Sequence, residues 1–186
     1  PVSAGRKILV IFAAFCHFSS SSVPRGGHDI TRRPLTMADC VLTDAEKRAG
    51  CVLVDLGADT TTVSVYYRNK LRHIAVLPLG GSNVPKDLEP LQIDEINAEA
   101  MKLKHASALT NEKDIDADAT LPIGDGRTIP SRMFIQVVEA RMLEIVENVK
   151  YLVPHEFADK LLGGIVLTGG GSNMKNVEKL FHDAGR

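Results

Sequence analysis

The chain has 186 residues, 44% hydrophobic and 24% charged, with a formal net charge of −1 at pH 7. This composition is that of an ordinary globular protein of one or two domains, long enough to bury a sizeable core. The near-zero charge is not that of a protein whose main partner is nucleic acid or an anionic membrane surface, so we expect neither. The cysteines Cys16, Cys40 and Cys51 have no C-x-x-C spacing, which predicts reduced, mostly buried thiols of a cytosolic protein rather than disulfides or a zinc site.

Residues 1–33 form the first region, and they follow no single pattern. Arg6-Lys7 precedes an apolar run from Ile8 to Phe18, which fits a secretion signal without a clean cleavage site, a buried strand or a truncated remnant. The run is too short to span a bilayer, for which about 20 residues are needed. From Ser19 to Pro34 the composition shifts to Ser, Gly, Arg and Pro, which predicts a loop or linker.

A short helix and three strands are predicted next. The spacing of Thr43 and Glu46 is that of a capping box, and it predicts a helix that ends near Gly50. Apolar and alternating runs then predict strands at 51–56, 61–67 and 71–77. Tight turns join them into an antiparallel meander, whose first strand is buried on both faces and which ends at Gly80-Gly81.

Helical patterns dominate the region that follows. An amphipathic helix is predicted at 93–105, with Ile96, Ala100, Leu103 and Met101 on its apolar side. Residues 107–127 are polar and acidic, and they predict a loop or a β-excursion with a short strand at 119–123. The longest helix is predicted from Pro130 or Ser131 to Leu152. A short helix at 155–162, a buried strand at 164–167 and a helix from Ser172 to about Asp183 complete the chain.

The first functional motif is the acid at the end of the buried strand, followed by a glycine turn and two threonines, at Asp55, Gly57, Thr60 and Thr61. Such a turn presents backbone N–H groups and hydroxyls to phosphate oxygens, while the carboxylate can hold Mg²⁺ or orient a water. An ordinary hairpin in which Asp55 caps its own turn remains the alternative.

The second motif is a strand that leads into Gly169-Gly170-Gly171-Ser172 and then into a predicted helix. Free N–H groups at a helix start and the positive end of the helix dipole favour anions. Consecutive glycines also permit a ligand to approach the backbone closely. A tight strand-to-helix connection is the alternative, but both motifs in this order are more specific than either one alone.

These residues, together with the Gly80-Gly81 turn, Ala98-Glu99-x-x-Lys102 and Glu139-Ala140-Arg141, resemble the second half of an actin-like ATPase. Within that superfamily the bacterial cell-division FtsA family is most similar, through the stretch Pro-Leu-Thr-Met-Ala-Asp-Cys-Val-Leu at 34–42. The resemblance runs from about residue 34 to the end. It implies an α/β, actin-like (ribonuclease H-like) nucleotide-binding domain, incomplete here, with a core at 34–80 and 131–186 and a small inserted subdomain at 81–130.

The resemblance also implies site residues for ATP and Mg²⁺. Asp55, Gly57, Thr60 and Thr61 would stand at the second phosphate loop, with Asp55 as the Mg²⁺ ligand. Glu99 and Lys102 would approach the nucleoside, and Gly169, Gly170, Gly171 and Ser172 would form the adenosine loop. Arg141, in the connecting helix, is expected to be structural.

Two departures from the family pattern bear on activity. Ala58-Asp59 stands before the threonines where the family has Gly-Gly-Gly-Thr-Thr-Asp or Gly-Ala-Gly-Thr-Thr, and Thr62 follows them. A carboxylate at Asp59 repels phosphate, so we expect weaker ATP binding and at most weak hydrolysis. The family's first phosphate loop has no counterpart in residues 1–33, and its C-terminal amphipathic membrane helix lies beyond the last residue here, so we expect a fragment with an incomplete cleft.

The function implied by the resemblance is that of an adaptor which links the tubulin-like protein FtsZ to the membrane at the division septum. The inserted subdomain would contact FtsZ, and the intact protein would be cytoplasmic, on the inner face of the membrane, and would associate with itself into filaments. The alternatives are another actin-like ATPase, an Hsp70-like chaperone, a sugar kinase or a remnant without independent function.

Overall fold

The structure is a computed structural model that describes residues 8–10, 29–110, 119–124 and 126–184. The helices are α1 (Asp29–Val41), α2 (Asp44–Ala49), α3 (Asn83–Leu88), α4 (Glu95–His105), α5 (Ser131–Leu152) and α6 (Val177–Ala184). The strands are β1 (Ile8–Val10), β2 (Cys51–Leu56), β3 (Thr61–Tyr67), β4 (Lys70–Leu77), β5 (Thr120–Gly124), β6 (Arg127–Pro130) and β7 (Gly164–Thr168). No helix within these ranges is both long enough and apolar enough to cross a bilayer.

Five strands form a mixed sheet in the order β1-β7-β2-β3-β4. The meander β2-β3-β4 is antiparallel, as predicted. Strand β7 lies parallel to β2, with Asp55 opposite Thr168, and β1 lies parallel to β7. Because β2 and β7 run in the same direction, their carboxyl ends meet at one edge of the sheet, and the loops that follow both strands start there.

Apolar cores lie on both faces of the sheet. Alternate residues of β2 face opposite ways: Val52, Val54 and Leu56 pack with α3–α6, whereas Cys51 and Leu53 pack with α1. Each of these five side chains is at most 2% exposed, which confirms the prediction of a strand buried on both faces.

The predicted capping box and long helix are both confirmed. Thr43 Oγ1 accepts a hydrogen bond from the Glu46 N–H, and the Glu46 carboxylate accepts one from the Thr43 N–H at 2.7 Å. Helix α5 begins at Ser131 and ends at Leu152, before Pro154.

The N-terminal predictions need correction. The segment from Ser19 to Pro34 was predicted as a loop or linker, but residues 29–34 form the first part of α1. The loop signal comes from the Ser and Gly residues at 19–27, whereas residues 29–34 contain neither residue type. Ile8–Val10 is a strand, which agrees with one of the three alternatives for the apolar run, while the rest of that run and residues 19–28 lie outside the described residues.

The prediction of buried thiols is confirmed for one of the two described cysteines. Cys51 is buried and Cys40 is exposed, and Cys16 is not among the described residues.

The predicted apolar side of α4 is wrong at Ile96, Ala100 and Leu103 and confirmed at Met101. Ile96 is 83% exposed and Leu103 77% exposed, and Ala100 is exposed as well, while the helix buries Ala98 and Met101. The larger side chains set the sequence pattern, but packing against α3 selects the small Ala98. The strand predicted at 119–123 is confirmed as Thr120–Gly124, and β6, which the sequence pattern does not predict, pairs with it as a hairpin.

The last third of the chain contains less helix than predicted. Residues 155–162 were predicted as a helix, but only a single 3₁₀ turn, His155–Phe157, forms. The helix predicted from Ser172 begins at Val177, after a 3₁₀ turn at Gly170–Asn173.

The region predicted as an inserted subdomain packs with the rest of the chain. Buried side chains between residues 81 and 130, among them Val84, Leu88 and Ile129, share one apolar cluster with α5. The separate inserted subdomain therefore stays a prediction.

Candidate functional site

The loop between β2 and β3 is closed by its own backbone. The Gly57 N–H donates to the Thr60 carbonyl oxygen at 3.0 Å, and a Cβ on Gly57 would lie 2.7 Å from that oxygen. Thr61 is fully buried, and its hydroxyl donates to the Leu79 carbonyl oxygen at 2.8 Å. Thr60 and Asp59, by contrast, are exposed. The loop therefore has a fixed frame and an exposed tip.

The Gly80-Gly81 pair packs directly on this loop. The Gly81 N–H donates to the Gly57 carbonyl oxygen at 3.0 Å, and the Ser82 N–H donates to the Ala58 carbonyl oxygen at 2.7 Å. A Cβ on Gly80 would lie 2.4 Å from the Ala58 oxygen, a distance that no side chain tolerates. From the sequence, the pair is predicted to end the meander and forms part of the family resemblance, but its packing on the β2–β3 loop is not predicted. The paired glycines were the signal that two backbones meet there.

Lys102 connects helix α4 to the Gly80-Gly81 pair. Its ammonium group donates to the Gly81 carbonyl oxygen at 3.1 Å and pairs with the Glu99 carboxylate at 2.6 Å. The Lys102 side chain is 14% exposed and that of Glu99 is 44% exposed. The carboxylate therefore faces solvent while the lysine holds the helix against the glycine pair.

The glycine loop after β7 lies against the carboxyl end of β2. Gly169 has a φ of +87°, and a Cβ there would lie 2.4 Å from Asp55 Oδ1 and 2.6 Å from the Leu56 carbonyl oxygen, so only glycine fits. A Cβ on Gly171 would lie 2.9 Å from that of Leu56, whereas one on Gly170 would meet nothing within 4 Å. Gly170 is therefore the glycine that faces open space.

Two side chains complete this edge of the sheet. The buried Ser172 hydroxyl donates to the Gly169 carbonyl oxygen at 2.7 Å and so fixes the loop from within. Thr168 is fully buried, and its hydroxyl has no hydrogen-bond partner among the described residues. Thr168 stands opposite Asp55 in the sheet. The Thr168 hydroxyl is therefore available for a hydrogen bond beside the half-buried Asp55 carboxylate.

The predicted helix start at the glycine loop is wrong. The loop passes into a 3₁₀ turn, in which the Met174 N–H donates to the Gly171 carbonyl oxygen at 3.2 Å, and α6 begins only at Val177. The positive end of the α6 dipole is therefore not at the glycines. Any anion at Gly170 would be bound by the loop backbone itself.

The ten predicted site residues all lie in the segments that meet at this edge. Contacts join five of them in two sets: Asp55 with Gly169, and Gly57 with Lys102 and Glu99 through Gly81. The predicted phosphate contact of the Thr61 hydroxyl is not supported, because that hydroxyl is buried and bonded to Leu79. No group of three His, Cys, Asp or Glu side chains that could hold a metal is present in the described ranges. Asp55 as a Mg²⁺ ligand stays a prediction, and a single carboxylate is compatible with this ion, which keeps several waters and is held by one or two carboxylates together with phosphate oxygens.

Comparison with known proteins gives a family match and a set of relatives. The family model described as cell division protein FtsA matches residues 52–185. The cell division protein FtsA of Porphyromonas gingivalis is 35% identical over 147 residues, which are 77% of this chain and 30% of that protein. The proteins of the same name from Pseudomonas aeruginosa and Bacillus subtilis are 33% and 31% identical over 83% of this chain, and 39% and 36% of their own lengths are covered. The chain thus spans about a third of the length of these curated relatives.

Solved structures with the same fold include MreB 5 of Spiroplasma citri bound to AMPPNP, with a TM-score of 0.65 and 18% identity. The similarity covers 95% of this chain and 60% of that one. The ethanolamine utilization protein EutJ from Carboxydothermus hydrogenoformans has a TM-score of 0.56 and 18% identity, over 82% of this chain and 46% of its own. The α/β actin-like fold expected from the sequence is confirmed.

Proposed function

The chain belongs to the FtsA family of cell division proteins, and from that premise we propose that it binds Mg²⁺-ATP at the shared edge of β2 and β7 and acts in division as an adaptor. The proposed adaptor links FtsZ to the membrane at the division septum, and it works through assembly rather than through rapid turnover. Among the alternatives left open by the sequence, the family match favours the division protein over a chaperone or a sugar kinase.

The observation that carries the nucleotide proposal is the convergence of two glycine-containing loops on Asp55. In the proposed complex, Thr60 and the backbone at the exposed tip of the β2–β3 loop face phosphate oxygens, while the buried Thr61, whose hydroxyl is bonded to Leu79, holds that loop in place. Gly170 leaves room for the ligand because a Cβ there has no neighbour within 4 Å. Glu99 and Lys102 lie on the nucleoside side. Bound Mg²⁺ would neutralise phosphate charge, and Asp55 would hold it. A solved structure of the same fold, MreB 5, is bound to AMPPNP, which supports the choice of an adenine nucleotide.

Calorimetry of Mg²⁺-ATP binding to the whole chain tests this proposal. We expect micromolar binding that is lost in Asp55→Ala and in Gly170→Asp. The second variant places a carboxylate in the ligand space without a packing clash. Gly126→Asp is its matched control, because Gly126 is exposed, its Cβ would also meet nothing within 4 Å, and aspartate tolerates a positive φ.

Either of two results would contradict the nucleotide site. A folded wild-type chain that binds no Mg²⁺-ATP excludes ATP binding by this chain. Binding that survives Gly170→Asp places the nucleotide elsewhere. Circular dichroism of each variant separates loss of binding from loss of folding.

The proposed FtsZ contact is supported by the exposed face of α4. Ile96 and Leu103 are 83% and 77% exposed and lie seven residues apart on one side of the helix, within the predicted inserted subdomain. Large apolar side chains exposed together on one face indicate a partner surface. In co-sedimentation with FtsZ polymers, we expect binding to be lost in the double variant Ile96→Ser/Leu103→Ser and kept in Leu162→Ser, which removes an equally exposed leucine elsewhere. Absence of binding by the wild-type chain contradicts the adaptor role.

The proposed self-association is supported by an uneven charge distribution. Arg48, Arg68, Lys70 and Lys160 are exposed around the amino end of β2, where the Arg68 N–H donates to the Arg48 carbonyl oxygen. The residues from α3 to α4 carry five carboxylates and three lysines, and this segment lies toward the carboxyl end of β2. Copies stacked head to tail would bring opposite charges together.

A further inference from the structure

The segment that follows α4, residues 106–110, is more buried than a connection between two elements usually is. Ala106, Ser107, Ala108 and Thr110 are each at most 7% exposed. We call it the bridging segment. Loops normally lie at the surface, where water satisfies their polar groups, so a buried connection must have partners in the protein.

Helix α5 holds one end of the bridging segment. The Thr110 N–H donates to the Glu139 carboxylate at 3.0 Å, and the Thr110 hydroxyl donates to the same oxygen. Glu139 is half-buried, so its carboxylate forms a fixed anchor within the fold.

The other end of the bridging segment is held by the residues that follow the glycine loop. The Ala108 N–H donates to the Lys175 carbonyl oxygen at 2.8 Å, and Ser107 forms a parallel bridge with Lys175. The Asn176 side-chain amide donates to the Ser107 hydroxyl oxygen at 2.9 Å. Asn176 has a φ of +62°, so its backbone conformation is one that glycine adopts without strain.

These contacts close a ring around the candidate site. From the β2–β3 loop the ring passes through Gly81 to Lys102, whose carbonyl oxygen accepts from the Ala106 N–H at 3.1 Å. It continues through the bridging segment to Lys175 and Asn176, then through Met174 to Gly171. Gly171 lies against Leu56, which leads back to the β2–β3 loop. The Ala108–Lys175 contact is a backbone hydrogen bond, whereas the Ser107–Asn176 hydrogen bond joins two side chains and can therefore be removed by a substitution.

We infer that Ser107 and Asn176 are positioning residues of the nucleotide site, whose hydrogen bond fixes the separation between Lys102 on one side and the glycine loop on the other. The inference rests on the proposed function for its ligand, while the ring itself consists of contacts in the free chain. Lys102 and Gly170 lie on segments far apart in sequence, and this bond adds a side-chain cross-link to the backbone bond between Ala108 and Lys175 that joins the same segments. Neither positioning residue needs to touch the nucleotide.

Asn176→Gly is the variant that tests the inference, because it removes the side-chain donor and keeps the backbone conformation. Asn69→Gly is its matched control, since Asn69 also has a positive φ, of 58°, and lies in the β3–β4 turn outside the ring. Ser107→Ala serves as the second variant; it removes the acceptor for Asn176 and, with it, the hydrogen bonds between the Ser107 hydroxyl and the Leu109 backbone. All are measured as the whole chain, by amide hydrogen exchange without ligand and by calorimetry with Mg²⁺-ATP.

In Asn176→Gly we expect amide exchange to become about fivefold faster, the factor for one ordinary hydrogen bond, on both sides of the site together. The reporting amides are Ala106 and Ala108 on one side, and Ser172 and Met174 on the other. Exchange at Val54 and Val63 in the sheet should stay unchanged, and the dissociation constant for Mg²⁺-ATP should rise about fivefold. Ser107→Ala should act in the same direction, and Asn69→Gly should change none of these values.

Three results would overturn the inference. Faster exchange at Ala106 and Ala108 with an unchanged Ser172 amide would mean that the two sides are not coupled. Faster exchange in the sheet as well would mean that the bond only contributes to overall stability. An unchanged dissociation constant in both variants would mean that the ring does not set the ligand site. A wild-type chain that binds no ATP contradicts the proposed function separately, and the exchange pattern then still decides whether the two sides are coupled.

Discussion

Asp59 is the residue whose charge fits the proposed ligand least. It is exposed at the tip of the β2–β3 loop, two residues before the buried Thr61. Because exposure lets water and salt screen its charge, we expect Asp59 to weaken phosphate binding at the proposed site without preventing it.

We therefore predict that Asp59→Asn tightens Mg²⁺-ATP binding by about threefold to tenfold at low ionic strength, because one unit charge near the phosphates is removed. The gain should shrink at high salt. Calorimetry at two salt concentrations measures both effects, with Asp159→Asn as a control at another exposed aspartate. A salt-independent gain would point to a change in loop conformation rather than in charge.

The buried Cys51 and Tyr66 make stability depend on alkaline pH. Burial raises the pKa of the Cys51 thiol to about 12 from an ordinary value of 9.0. Burial, with Asp39 adding to it, raises the pKa of Tyr66 to about 12 from 10.0. Both groups are neutral when protonated, so the folded state keeps protons that the unfolded chain releases. Their contribution is present below pH 9 and is lost as the pH rises toward 12.

We predict that the free energy of unfolding falls steadily above about pH 9. Denaturant titrations at a series of pH values measure this. Cys51→Val should flatten the early part of the fall, and Cys40→Ser, at an exposed position, should leave the profile unchanged. A stability independent of pH over this range would show that both groups ionise in the folded state as they do in the unfolded one.

At the scale of elements, α3 and α5 are joined by one ion pair. Arg141 Nε and Nη2 donate to the two oxygens of Asp87 at 2.7 and 2.6 Å, and the side chains are 20% and 25% exposed. A bidentate pair with this little solvent access is stronger than an ordinary surface pair. The structural role expected for Arg141 is thereby confirmed.

We predict that Arg141→Ala lowers the free energy of unfolding by about 1–3 kcal/mol, because it leaves the Asp87 carboxylate half-buried without its partner. Arg132→Ala, at an exposed position on the same helix, should cost less than about 0.5 kcal/mol. Denaturant unfolding compares the two. Equal effects would mean that only helix propensity is being measured.

Elements with strong local signals could be predicted from the sequence, and contacts between distant segments could not. The capping box at Thr43 and the alternation in β3 depend on neighbours a few residues away, so the chain itself reveals them. The inward face of α4 depends on α3, and hydrophobicity alone misassigned Ile96 and Leu103. The hydrogen bond between Ser107 and Asn176 joins residues 69 positions apart, so no local sequence pattern predicts it.

The same distinction between local patterns and long-range contacts applies to the candidate site. Asp55 and the glycines after β7 were identifiable because their spacing is a motif, and the family resemblance assigned them roles. The packing of Gly80-Gly81 on the β2–β3 loop was not identified, because it requires the meander to fold back on itself. The open space at Gly170, as distinct from Gly169, is a property of the folded chain alone.

At the scale of the whole molecule, the distribution of charge predicts how copies meet. The cations Arg48, Arg68, Lys70 and Lys160 lie at one end of the sheet and outnumber the exposed carboxylates Glu156 and Asp159 beside them. Two of these cations lie over aromatic rings, Arg68 over Tyr67 and Lys160 over Phe157, which holds them in place.

We predict a weak head-to-tail association that salt disrupts. Sedimentation velocity at increasing protein concentration should show it at low ionic strength and not at high. The double variant Arg48→Glu/Arg68→Glu should abolish it, and Arg132→Glu should not. Association that is insensitive to salt, or to the double variant, would require an apolar interface instead.

The position of β7 between β1 and β2 in the sheet has a consequence for biosynthesis. Strand β2 pairs with β3 almost as soon as both leave the ribosome, but its other edge pairs with β7, which is translated roughly 100 residues later. At about 5–20 residues per second this leaves an apolar strand edge unpaired for about 5–20 s. During that interval the nascent meander can pair with another strand, so the yield of native protein should depend on chaperones that cover exposed strands and on the speed of translation between these two segments.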